Sequence, residues 1–143
     1  MYSTTHLAAG LIIGKITGDY PTAIISSTAI DIDHLIPYVK NKIIFNFKEI
    51  WKTANSADDT NRSILHSFFA LIILSGIVAM FSVRTGAVFM LGYLSHFLLD
   101  ALDDSDFHPF FPWKKFNTHG FVGYRSRLEL IICLSLFVVW YFV

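Results

Sequence analysis

Residues 64–83 read ILHSFFALIILSGIVAMFSV, and the reading of that stretch decides the fold. Only His66, Ser67, Ser75 and Ser82 are polar among its twenty residues. A helix needs about 20 mainly apolar residues to cross the hydrocarbon core of a bilayer, so the stretch reads as a crossing. Two more apolar stretches follow. Gly86 to Leu102 is interrupted by Ser95, His96 and Asp100, and Leu128 to Val143 has Glu129 as its one acid. Upstream, Thr5 to Thr17 reads as a short helix, and Gly18-Asp19-Tyr20-Pro21 is a turn with both breakers present. Pro21 suits the first turn of a second helix, running to about Ile36 and stopped by Pro37. Its β-branched residues (Ile24, Ile25, Thr28, Ile30) would also suit a buried strand. A lone strand cannot satisfy its backbone in lipid, so helix is the expectation. The fold class expected is all-α: one membrane-embedded domain over residues 1–143, a bundle of about five helices.

The composition agrees. Of 143 residues, 54 % are apolar and 15 % charged, with a mean hydropathy of +0.53. Soluble domains carry roughly 25 % charged residues, so the chain is short of surface charge for a free globule and too apolar for disorder. The formal net charge is zero, which gives no electrostatic footprint for nucleic acid. The only cysteine, Cys133, has no partner for an intramolecular disulfide. Met1 to His6 has no basic residue and Lys15 breaks the first apolar stretch, so no cleavable signal peptide is expected. Two polar segments remain. Tyr38 to Asn61 carries Lys40, Lys42, Lys48 and Lys52, with an amphipathic middle from Ile43 to Trp51 that suits the interface. Asp103 to Arg127 is rich in Phe, Pro and Trp, as befits headgroup level.

The ionisable residues fall in a pattern on this helix map. His6 starts the first helix, and Asp31, Asp33 and His34 lie near the end of the second. Arg62 and His66 open the third, and His96 and Asp100 close the fourth. Antiparallel hairpins bring all of them to one rim, leaving Lys15, Asp19 and Arg84 at the other. His96 and Asp100 are four residues apart, so they share a helix face. Imidazole with carboxylate suits zinc. Asp103 and Asp104 extend the acidic face. Ionisable groups at membrane depth are costly, by roughly 2.5–3.5 kcal/mol each on insertion scales, and a divalent cation is an economical partner for several at once. His108 and His119 read as loop histidines.

The stretches Thr5-His6-Leu7-Ala8-Ala9-Gly10, Ala29-Ile30-Asp31-Ile32-Asp33-His34, Arg62-Ser63-Ile64-Leu65-His66-Ser67 and Gly92 to Asp100 resemble the YdjM-type membrane-bound metal-dependent hydrolases. The resemblance runs to about Trp113. That family is similar, more remotely, to zinc-dependent phospholipase C and the single-strand-specific zinc nucleases, helical enzymes whose clustered metals are held by His and Asp. The resemblance implies a metal shell from His6, Asp31, Asp33, His34, His66, His96 and Asp100. The chain departs from the family pattern at Ala29-Ile30-Asp31, where an aspartate-proline is usual, and from Ala101 to Phe111. Both departures bear on the substrate side more than on the metal side.

Of eleven Lys and Arg, nine fall in segments at the site rim and two, Lys15 and Arg84, at the other. The positive-inside rule then predicts a multi-pass protein of a bacterial-type plasma (inner) membrane, with the site facing the cytoplasm. A basic rim attracts anionic headgroups at about 1 kcal/mol per Lys or Arg. The function expected is hydrolysis of a phosphoester, such as a phospholipid or lipid-linked phosphate, by metal-activated water with one to three divalent ions, zinc first among them. In that scheme Asp33, His66, His96 and Asp100 hold one ion, and His6, Asp31 and His34 contribute to a second. Asp31 or Asp103 is the general base and Arg62 the phosphate contact. Two readings compete: a non-enzymatic carrier or assembly protein that binds through the polar rim, and a structural subunit whose His and Asp groups pair with one another. The oligomeric state is left open.

Overall fold

The computed structural model describes the chain except residues 35, 37, 38, 40, 41, 44, 50–63 and 114. The order is α1 (Ser3–Thr17), α2 (Tyr20–Thr28), a 3₁₀ turn (Ala29–His34), a second 3₁₀ turn (Ile64–His66), α3 (Phe68–Phe81), α4 (Val83–Leu102) and α5 (Arg127–Phe142). The all-α bundle expected from the apolar runs is what forms. Local chemistry sets the starts of the helices. Asp19, Ser67, Ser82 and Ser126 each accept a hydrogen bond from the backbone N–H three residues on, at 3.2–3.3 Å. Such caps satisfy donors that a helix start otherwise leaves without partners.

The same caps move some boundaries away from the sequence expectation. Ser67 starts α3 at Phe68, so the stretch at 64–83 is a 3₁₀ turn followed by a 14-residue helix. At 1.5 Å per residue that helix is about 21 Å long, shorter than a hydrocarbon core of about 30 Å. Ser82 starts α4 at Val83 rather than Gly86. The second helix ends at Thr28 and passes into the 3₁₀ turn, not continuing as α-helix to Ile36. The reason is local: Ser26, Ser27 and Thr28 donate their hydroxyls to the carbonyls of Ala23, Ile24 and Ile24. Side chains that compete for the helix's own acceptors loosen its last turn. Among the described residues one helix, α4, is long and apolar enough to cross a membrane by itself. The outward faces of α3 and α5 are nevertheless apolar, with Ile72, Ile73, Met80, Ile131 and Leu134 all exposed.

Small residues carry the packing that positions the site. A Cβ added at Gly92 of α4 would stand 2.0 Å from Ser26 Oγ and 2.9 Å from the Ala23 carbonyl; one at Gly10 of α1 would stand 2.2 Å from Ser27 Oγ. α2 is therefore gripped between α1 and α4 through glycine, alanine and serine, the means by which helices approach closely where no water drives them together. His6 lies one turn before Gly10 and His96 one turn after Gly92, so this grip brings the two imidazoles into register. Tyr93, Phe97, Leu71, Ile30 and Phe107 form the apolar core beneath. The segment after α4 folds back over that core. Phe107 exchanges backbone hydrogen bonds with Thr118, the Leu102 carbonyl accepts from Phe121 and Val122, and the Phe107 ring meets Phe97 at 5.3 Å.

At the rim away from these histidines the basic residues act as caps. Lys15 Nζ donates to the carbonyls of Trp140 and Tyr141, the last turn of α5, and Arg84 donates to the Thr17 carbonyl at the end of α1. Positive charge there offsets the helix C-terminal dipole. Gly92→Ala is expected to lower the melting temperature of the detergent-solubilised protein, by an overpacking cost of about 1–3 kcal/mol. Gly76→Ala, where an added Cβ meets nothing within 4 Å, should leave it unchanged; equal melting of the two variants would refute the close packing.

Candidate metal centre

The site is built where α1 starts, α2 gives way to its 3₁₀ turn, the turn before α3 ends and α4 finishes. His6, Asp33, His66, His96 and Asp100 are all buried to within 2 % exposure, whereas Asp31 and His34 are partly open to solvent. The cluster thus has a closed floor and an open mouth. Asp100 is its hub: one carboxylate oxygen lies 3.4 Å from His6 Nε2, the other 3.3 Å from His66 Nε2 and 3.4 Å from His96 Nε2. The spacing of His96 and Asp100 on one helix face predicts this arrangement. Asp31 Oδ1 reaches the same centre from the mouth, 3.4 Å from His96 Nε2, 3.8 Å from His66 Nε2 and 3.5 Å from His34 Nε2. The His6 and His96 rings stack with centroids 3.8 Å apart.

Hydrogen bonds on the far side of two rings fix their tautomers. His96 Nδ1 donates to the Ser27 carbonyl at 2.8 Å, and His66 Nδ1 meets Asp33 Oδ2 at 2.9 Å. A carbonyl and a carboxylate both accept, so each Nδ1 carries a proton, and in a neutral ring the Nε2 atom is then the one that presents a lone pair. Those two nitrogens face each other at 3.2 Å, with Asp31 and Asp100 oxygens around them. Four electron-rich atoms at this spacing repel unless a positive charge lies among them. His6 adds to the case: its side chain is fully buried, its Nδ1 has no hydrogen-bond partner and its Nε2 meets Asp100 at 3.4 Å, and a buried nitrogen without a partner is expensive. Two sets of donors are close enough to hold one ion each, His6, His96 and Asp100 deep in the bundle, and Asp31, His34 and His66 at the mouth, with the atoms of each set within 4.8 Å of one another. The imidazole–carboxylate chemistry fits zinc.

The structure brings six of the seven shell residues expected from the sequence into these two sets, and regroups them relative to the division by motif. Asp33 stands behind His66, bonded to Nδ1, in the manner of the carboxylates that orient metal-binding imidazoles. Asp103 sits beside the site but accepts from the Ser105 backbone at 3.0 Å and from the Ser105 hydroxyl, and lies 3.0 Å from the Met1 amino group. Burial alone would raise its pKa, but the amino group and the Ser105 hydrogen bonds lower it instead. Asp31 is held well down, to about 2: burial opposes this, and the hydrogen bond from His34 with the charges of His96 and His6 prevails. His108 and His119 belong to the segment after α4, bonded to the Phe116 and Asp104 carbonyls and outside both sets. Arg62, expected at the phosphate, lies outside the described residues, as do Lys40, Lys52 and Lys114.

Sequence reasoning missed the role of Glu129. It is fully buried and accepts from the backbone N–H of Tyr2 and of Arg125, the latter at 2.7 Å. Ser126-Arg127-Leu128-Glu129 has the serine-to-glutamate spacing of a capping box, which is the signal that could have found it.

Residues 1–142 match the family model described as YdjM inner membrane protein. The chain belongs to that family of membrane proteins. Comparison with curated proteins and with solved structures gave no match.

In chelator-treated protein the depressed pKa of Asp31 gives a signed prediction. A group lower in the folded than in the unfolded state stabilises above its unfolded pKa, about 4. The melting-temperature gap between wild type and Asp31→Asn should therefore hold above pH 4 and close as pH falls towards 2. A gap unchanged across that window would show that Asp31 is not held ionised by its neighbours.

Proposed function

We propose that the protein is a membrane-bound metal-dependent hydrolase acting on a phosphoester, of which a phospholipid or another lipid-linked phosphate is the substrate class. The observation that carries this reading is the convergence of the Nε2 atoms of His66 and His96, 3.2 Å apart between two carboxylates. A proton between the two nitrogens would serve that pair alone, whereas divalent ions would use both donor sets. The open mouth at Asp31 and His34 favours catalysis over a structural site, since structural sites are closed by protein ligands and catalytic ones keep a position for substrate. Zinc is the ion proposed, with His6, His96 and Asp100 holding one and Asp31, His34 and His66 a second.

Such an ion supplies Lewis acidity at a phosphoryl oxygen and makes water a nucleophile at neutral pH. The remaining work falls to the chain. Asp33 holds the His66 ring with its proton on Nδ1, and the Ser27 carbonyl does the same for His96. Asp31, the more exposed of the carboxylates, is positioned to take a proton from attacking water at the mouth; Asp103 is the alternative base, although Ser105 and the Met1 amino group already engage it. Arg62 is the proposed contact to the phosphate.

The proposal includes several passes through the inner membrane with the site facing the cytoplasm. The exposed apolar faces of α3 and α5 support it, and so does the excess of Lys and Arg in the segments joining the site end. A C-terminal reporter active only in the cytoplasm should be silent; its activity would reverse the topology. The carrier or assembly reading draws no specific support, because Lys15, Asp19 and Arg84 at the opposite rim are engaged in capping helices.

Elemental analysis of detergent-purified protein is expected to give at least one zinc per chain, and His96→Ala or Asp100→Ala should lose it. Hydrolysis of bis(p-nitrophenyl) phosphate and of phosphatidylglycerol should fall to background in both variants and with chelator, and return to wild type with added zinc. Less than one ion per chain, unaltered by the two substitutions, would remove the hydrolase reading. Asp33→Asn should weaken zinc binding by about 10–100-fold while sparing the fold, the range found when partners behind ligating histidines are changed.

A further inference from the structure

A second polar feature lies outside the histidine cluster. Between the start of α1 and the start of α5 is a cavity of about 440 Å³, lined by Tyr2, Thr4, Arg125, Ser126 and Arg127 together with Leu130 and Cys133. Two of its walls are fixed by one buried group: the Glu129 carboxylate accepts from the Tyr2 and Arg125 backbone N–H groups together. Arg125 has φ +61°, a left-handed conformation that non-glycine residues seldom adopt. Backbone of that kind persists only where the surroundings over-determine it, and it concentrates at ligand sites. The Tyr2 ring is also pinned, 5.6 Å from Tyr124. Below the opening, Leu130, Leu134 and Val138 recur every fourth residue of α5 and are exposed by 53 %, 56 % and 56 %. They form one continuous apolar stripe leading away from the cavity.

We propose that this cavity binds the phosphate headgroup of an anionic phospholipid, with an acyl chain lying along the stripe of Leu130, Leu134 and Val138. The chemistry of the walls selects the ligand. Two arginines, with a serine and a threonine beside them, line the cavity and match a phosphate monoanion, since the planar fork of arginine suits its oxygens. An apolar floor opening onto an apolar helix face suits a chain of methylenes and would have no use for an inorganic ion. A zwitterionic headgroup brings its own cation to the two arginines and is disfavoured. The site does not depend on hydrolysis at the histidine cluster, so its test and that of the catalytic reading fail separately.

The test is native mass spectrometry of the detergent-solubilised protein titrated with phosphatidylglycerol, phosphatidylcholine or inorganic phosphate. Wild type is expected to retain one phosphatidylglycerol at least fivefold more tightly than phosphatidylcholine, and millimolar inorganic phosphate should not displace it. Arg125→Gln with Arg127→Gln should abolish the preference, and Leu130→Trp, which fills the cavity from an exposed position, should weaken retention by a similar factor while keeping the zinc content. If the arginine pair proves too unstable to purify, Leu130→Trp decides alone. Undiminished phosphatidylglycerol binding in these variants, equal retention of phosphatidylcholine, or displacement by inorganic phosphate would overturn the proposal.

Discussion

The structure depends on one carboxylate. Asp100, at the end of α4, touches His6 from α1, His66 from the turn before α3, and His96 from its own helix. In an apolar bundle a charge so placed is tolerated only when opposite charge surrounds it, and the desolvation of an uncompensated carboxylate amounts to several kcal/mol. The helices must therefore end at one level, and that requirement governs the architecture from which the rest follows. The glycine and serine contacts that clamp α2 serve the same end, because a wider spacing would carry the His6 and His96 rings out of contact.

The two ends of the bundle use charge differently. At one end Lys15 and Arg84 neutralise helix termini by donating to backbone carbonyls, and Asp19 caps α2. These contacts are local and each charge meets a partial charge. At the other end carboxylates and imidazoles meet each other and the Met1 amino group. The contrast separates polar groups spent on backbone from polar groups gathered around one another.

Much of this was legible in the residues. The apolar runs predicted helices because in lipid only a helix satisfies its own backbone, and the rim convergence followed from simple hairpins. His96 and Asp100 were readable as a pair from their spacing alone. Other features were not. The change from α-helix to 3₁₀ turn at Ala29 depends on three consecutive hydroxyls choosing backbone acceptors, a competition with no periodic signature. The division of labour between Asp31 and Asp33 depends on which nitrogen of His66 each faces, and a strand of Asp-x-Asp-His letters is silent on that. Glu129 looked like a lone acid in an apolar run because its partners are backbone groups, one of them 127 residues away.

That last contact also bears on the order of events in the making of the protein. Tyr2 is made 127 residues before Glu129, so the flank of α1 that faces α5 lacks its neighbour until α5 has been synthesised. Lys15 waits equally long for the carbonyls of Trp140 and Tyr141. The helix bearing His6 is thus tied at both ends to a segment made more than a hundred residues after it.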